Sequence, residues 1–158
     1  MHKLIAIALV VTCSYTYPQE TIQQPVDSIA KSELTCLAKN IYFESKSEKE
    51  EGKAAVGIVT MNRTRFPEKF GQTICSVVSQ KIKRTCQFSW WCTKNPPIDQ
   101  KQYDECMTVA IRLQNGAYAH WEEKYHSAIY FHLAKLHPMW TSHKRMIAQT
   151  GNHSFFAA

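Results

Sequence analysis

Apolar positions recur at helical spacing over most of the chain. Leu34, Leu37, Ala38 and Ile41 share one face and predict a helix over residues 28–44. Ser47, with Glu50 three residues later, forms a capping-box pattern that would open a second helix. Its buried side is Ala54, Ala55, Ile58, Val59 and Met61, and the small Ala54, Ala55 and Gly57 permit close packing on the first helix. Pro67 and Gly71 break the chain before a short helix over 73–80. A fourth helix fits 100–114, with Tyr103, Met107, Ala110 and Ile111 inward and Gly116 closing it. The period then shortens. Residues 126–133 alternate as a strand does. Residues 145–149 and 153–156 predict two more strands around a Thr150-Gly151-Asn152 turn. Helices first and a small antiparallel sheet late give an α+β class.

The N-terminus follows a different pattern. His2 and Lys3 precede an apolar run over residues 4–11, and small or polar residues follow. The run is far shorter than the roughly 20 apolar residues that span a bilayer. It reads as a secretory signal over 1–14, followed by a polar linker over 15–27 and a folded domain over 28–158. Composition supports a globular domain, with 44% hydrophobic and 20% charged residues. The net charge is +6, or +5 once Lys3 leaves with the signal, which favours an anionic partner: nucleic acid, a membrane surface or a bacterial cell wall. Lys81, Lys83 and Arg84 form the one tight basic cluster, and no nucleic-acid-binding motif accompanies it. Beyond Cys13 there are five cysteines, Cys36, Cys75, Cys86, Cys92 and Cys106, with no C-x-x-C spacing. In an exported chain they favour two disulfides over a metal site. Cys36 with Cys75 and Cys86 with Cys92 is one arrangement, which leaves Cys106 free; Cys92 with Cys106 is another.

Candidate chemistry starts at Glu44. It lies three residues past Ile41 and seven past Leu37, so it ends the apolar face of the first helix. Burial there disfavours the carboxylate, and a carboxyl group protonated near neutral pH can serve as a general acid. Glu48, Glu50 and Glu51 read as a solvated turn. Asp27, Asp99 and Asp104 lack an apolar setting, so glycoside cleavage here would follow a one-carboxylate scheme. Six histidines fall in the last 40 residues, without H-E-x-x-H. No G-x-S-x-G and no phosphate-cradling glycine loop occurs. Aromatic residues gather at Phe88–Trp91 and from Tyr118 to Trp140, and they suit both core packing and stacking on sugars.

Several motifs occur together in one order: residues 36–44 (Cys-Leu-Ala-Lys-Asn-Ile-Tyr-Phe-Glu), Glu51-Gly52 with Ala55-Val56, Asn62-Arg63, Phe66-Pro67, Ile74-Cys75 with Val77-Val78, and residues 86–90 (Cys-Gln-Phe-Ser-Trp). Tyr130 and His132, Pro138 and Trp140, and Gly151-Asn152-His153 with Phe155 complete the series. Over residues 34–156 the chain resembles the spore cortex-lytic-enzyme-type (SleB-like) cell wall hydrolases. The resemblance implies a mostly helical, lysozyme-like core of the goose-type or lytic-transglycosylase kind. It implies cleavage of the MurNAc–GlcNAc bond of peptidoglycan by a monomeric, exported enzyme of bacterial or phage origin, with no cofactor or metal. Glu44 takes the place of the family's catalytic glutamate. Gln87, Phe88 and Ser89 would line the glycan groove, with Tyr130 and His132 as further substrate-binding candidates. Two stretches depart from the family: Ser45-Lys46-Ser47-Glu48 stands for Ala-Arg-Gly-Glu, and Lys94-Asn95 for Asp-Gly. The rival functions are a zinc amidase that uses the late histidines and a non-catalytic wall-binding protein.

Overall fold

The computed structural model describes residues 23–158, with side chains from residue 30. The signal over 1–14 and most of the linker lie outside the described residues. Helix α1 (Gln23–Ser45) begins five residues before residue 28 and takes in the end of the segment read as linker. It packs on α2 (Glu50–Arg63) and α5 (Gln100–Gln114). Leu37, Ala38 and Ile41 meet Ala54, Ala55, Ile58 and Val59 across the first contact, all buried. On α5 the inward residues are Cys106, Val109, Ala110 and Leu113, a run at helical spacing. Ile111 points outward, one position off the buried stripe, while Tyr103 and Met107 are half-buried against the core. Gly57 sets the approach of α5, because a Cβ there would stand 2.4 Å from Leu113 Cδ1.

Helix α2 does not start from a capping box. Lys49 holds the N-cap position without a side-chain bond. Glu50 turns sideways instead and accepts hydrogen bonds from Arg112 Nη1 (2.6 Å) and the Tyr118 hydroxyl. That tertiary pairing takes the carboxylate away from the backbone it would have capped. Helices α3 (Pro67–Phe70) and α4 (Ile74–Ser79) follow; a true capping box between Thr73 and Ser76 opens α4. A short hairpin, β1 (Lys81–Ile82) and β2 (Thr85–Cys86), and helix α6 (Ala119–Tyr125) are elements the sequence pattern does not reveal.

The late sheet comprises β3 (Tyr130–Leu133), β4 (Met146–Thr150) and β5 (His153–Phe156), in the order β3-β5-β4 and all antiparallel. Strand β5 is buried throughout, as its central place requires. The fold is therefore mostly helical α+β with a small antiparallel sheet, as a lysozyme-like core requires. Disulfides join Cys36 to Cys75 and Cys86 to Cys92. Cys106 is free and buried, and desolvation pushes its thiol up to about 11. Among the described residues no helix is long and apolar enough to cross a membrane.

Candidate active site

Glu44 stands in the last turn of α1, where the helix meets the sheet. Beyond it lies a cavity of about 390 Å³ with three walls. Glu44, Ser47 and Glu48 form one wall, the chain leaving β3 (Leu133–Lys135) the second, and the β4–β5 turn with Gly151, Asn152 and His153 the third. Burial raises the Glu44 carboxyl to about 7, and the Arg63 guanidinium partly opposes this. A carboxyl group with that pKa holds its proton in an appreciable fraction of molecules at neutral pH, as a general acid requires.

Arg63 is the cation nearest this chemistry in effect, and α2 delivers it. It is buried, its Nε donates to Ile129 O (2.9 Å), and its guanidinium lies 5.0 Å from the Phe70 ring centre and 5.1 Å from that of Phe88. Neighbouring Asn62 donates to Tyr125 O and Ala128 O, both at 2.9 Å. The Asn62-Arg63 pair thus fastens the end of α2 to the chain that enters β3. Desolvation lowers the Arg63 pKa to about 10, so it stays a cation at neutral pH.

Glu48 corrects the reading of the 48–51 turn as solvated. Its side chain is only 5% exposed. Oε1 accepts from the Asn152 backbone N–H (3.1 Å) and from Asn152 Nδ2 (2.8 Å), 104 residues away in sequence. His153 Nδ1 stands 3.5 Å from the same oxygen. Burial lowers the His153 pKa, against the pull of Glu48, so the ring is neutral at neutral pH. Glu51 leaves the turn as well: it pairs with Lys124 (2.6 Å) and accepts from the Tyr125 hydroxyl (2.9 Å).

Glycines shape the pocket around Glu48. A Cβ at Gly151, whose φ is +56°, would stand 1.8 Å from Glu48 Oε2. Gly151→Ala is expected to destabilise the fold by roughly 1–3 kcal/mol, from the left-handed backbone and the displaced carboxylate together. A thermal melt checks this, and an unchanged midpoint would show that the turn relaxes freely.

The other candidates lie elsewhere. None of Gln87, Phe88, Ser89, Tyr130 and His132 lines the Glu44 cavity. Phe88 is buried with Phe70, Val77 and Ile129, and it packs under Arg63. Gln87 and Ser89 are exposed on either side of it, because the backbone alternates through that stretch. Tyr130 is half-buried; its hydroxyl accepts from Lys69 Nζ, and Lys144 Nζ lies 4.6 Å from its ring centre. His132 stacks on Phe156 at 5.1 Å and its Nδ1 meets Leu133 O at 2.8 Å. Among the described residues no three His, Cys, Asp or Glu side chains gather as a metal site would need.

Residues 47–156 match the cell wall hydrolase family over more than half of the chain. The chain belongs to the cell wall hydrolase family. Its substrate is peptidoglycan, and its two disulfides suit an oxidising environment. The matched span starts three residues after Glu44, so the role of that residue rests on its setting and on the sequence resemblance. It includes Asn62-Arg63 and Gly151-Asn152-His153, which in this cell wall hydrolase hold β3 and Glu48 in place. No curated protein and no solved structure matches the chain.

Proposed function

We propose that this cell wall hydrolase cuts the MurNAc–GlcNAc glycosidic bond as a lytic transglycosylase, with Glu44 as acid and then base. The observation that carries the reading is the Glu44 carboxyl, raised to about 7 by burial beside an open cavity. Protonated Glu44 gives its proton to the glycosidic oxygen as the bond to MurNAc C1 breaks. The resulting carboxylate then takes the proton of the MurNAc C6 hydroxyl while that oxygen bonds to C1. The 1,6-anhydro ring closes, Glu44 is protonated again, and no water is consumed. Gln87, Ser89 and Tyr130 would extend the glycan groove beyond the cavity, with Phe88 as its buried support and His132 holding the β3 side. Export to the wall, by a cleaved signal over 1–14, belongs to the same proposal.

Glu48 favours one second reading. A second carboxylate on the same cavity could direct water onto C1, which would make the reaction hydrolysis. A muropeptide digest separates the two. Mass spectrometry of the products should show anhydro-MurNAc ends; reducing MurNAc ends would instead establish hydrolysis. Released peptides would point to an amidase, and pelleting on the wall without any product would point to a binder.

A further inference from the structure

We infer that Glu48 is a second catalytic residue, whose free oxygen Oε2 accepts the 2-acetamido N–H of the sugar cleaved and offsets the positive charge that develops at its C1. The inference rests on the reading that Glu44 cleaves a glycosidic bond.

Three observations support it. First, Glu48 is a buried carboxylate with one oxygen occupied and one open. Oε1 takes both Asn152 bonds, and Oε2 receives no hydrogen bond from any described residue. An oxygen that no protein group bonds, on a side chain otherwise held in place, is open to a donor from a bound ligand. Second, two glycines make the room in which Oε2 is seated. A Cβ at Gly151 would fall 1.8 Å from it and one at Gly52 3.3 Å from it, so side chains at both positions would crowd this oxygen. Third, Glu48 lines the Glu44 cavity and also an adjoining one of about 570 Å³ that runs past Lys49 and Thr150. Ser47, Gly151 and Asn152 are common to both, so Glu48 stands where the two spaces meet.

The chemistry suits that position. Peptidoglycan sugars carry an acetamido group on C2, one bond from the carbon at which Glu44 acts. Glycoside cleavage passes through an oxocarbenium-like transition state, and a fixed carboxylate nearby stabilises it more than the neutral ground state. Asn152 fixes Glu48 from a two-residue turn between paired strands, so little reorganisation accompanies the reaction. Glu48 thereby acts on charge and orientation, while proton transfer stays with Glu44.

The test uses the full chain and Glu48→Gln, which keeps the shape and leaves an oxygen for Asn152 to bind. Anhydro-MurNAc release is followed at saturating and limiting peptidoglycan, and the melting temperature is taken alongside. The expected result is a fall in kcat of about a hundredfold, a smaller change in KM, an unchanged melting temperature and unchanged product chemistry. A wild-type rate overturns the inference, and so does a switch from reducing to anhydro ends, which would make Glu48 the base for water. A second measurement does not depend on the variant folding. Wild-type protein on de-N-acetylated glycan strands should lose rate to a similar degree, and equal rates on both substrates overturn the acetamido contact. Retained Glu48→Gln activity with a dead Glu44→Gln protein would remove this inference alone. Peptide products from the wild type would remove the glycosidic reading itself.

Discussion

Glu44→Gln is expected to abolish glycan cleavage, by a factor of about a thousand or more, and to leave a folded protein. Glutamine matches the carboxyl in shape but has no proton to give to the glycosidic oxygen. The pH dependence follows from the same group. Glu44 must be protonated at the first step, so the rate should decline as pH rises through about 7. Stability follows pH in the same direction. The Glu44 carboxyl titrates near 7 in the folded chain against an ordinary value of 4.5, so the native state binds the extra proton between those values. The contribution is fully present below about 4.5 and lost as pH rises through about 7. Above that range the wild type holds a buried anion that the glutamine variant lacks. Glu44→Gln should therefore melt higher than wild type at pH 8, by on the order of 2 kcal/mol, with the gap closing in acid. Parallel melts at pH 4 and pH 8 measure it. A variant less stable at both would mean that the carboxyl makes a structural bond, and retained activity would remove Glu44 from the mechanism.

Breaking the Cys36–Cys75 disulfide is the change with the largest expected effect on stability. It joins α1 to α4 across 39 residues, and loop-closure entropy for that length gives about 4 kcal/mol. Paired Cys36→Ser and Cys75→Ser substitutions should lower the melting temperature by roughly 10–15 °C. The Cys86–Cys92 bridge spans only 6 residues, so its removal should cost about 2 kcal/mol by the same relation. It closes the segment that carries Phe88 under Arg63, so its loss should act mainly near the site. Calorimetry on the two double variants gives the order directly; a larger drop for the short loop would show that native packing, not chain entropy, sets the effect.

Much of the fold can be read along the chain because helical and strand periods are local. The buried faces of α1 and α2, the limits of α5 and the β4–β5 turn all follow from residues within two turns or one hairpin of each other. Where two elements compete for a side chain, that reading fails. Ser47 and Glu50 fit a capping box in sequence, yet Arg112 and Tyr118, more than 60 residues on, hold the Glu50 carboxylate. Ile111 fits an inward stripe by eye, but the contact with α1 and α2 selects the stripe through Cys106, Ala110 and Leu113.

The site divides along the same line. Glu44 is legible because its own helix carries it to the end of an apolar face, and one helix suffices to predict a buried carboxyl. Glu48 is not legible as more than a turn residue. Asn152, Gly151 and His153 bury it from 104 residues or so away, and nothing within its own segment records that contact. Phe88 is misplaced for the converse reason: its position in an aromatic run does not say which ring turns inward beneath Arg63. The sequence by itself determined four of the helices, the late sheet and the family, and it singled out the carboxyl at Glu44. Only the tertiary structure decided which polar groups lose water, because desolvation depends on every element packed around a group, and periodicity reports one element at a time.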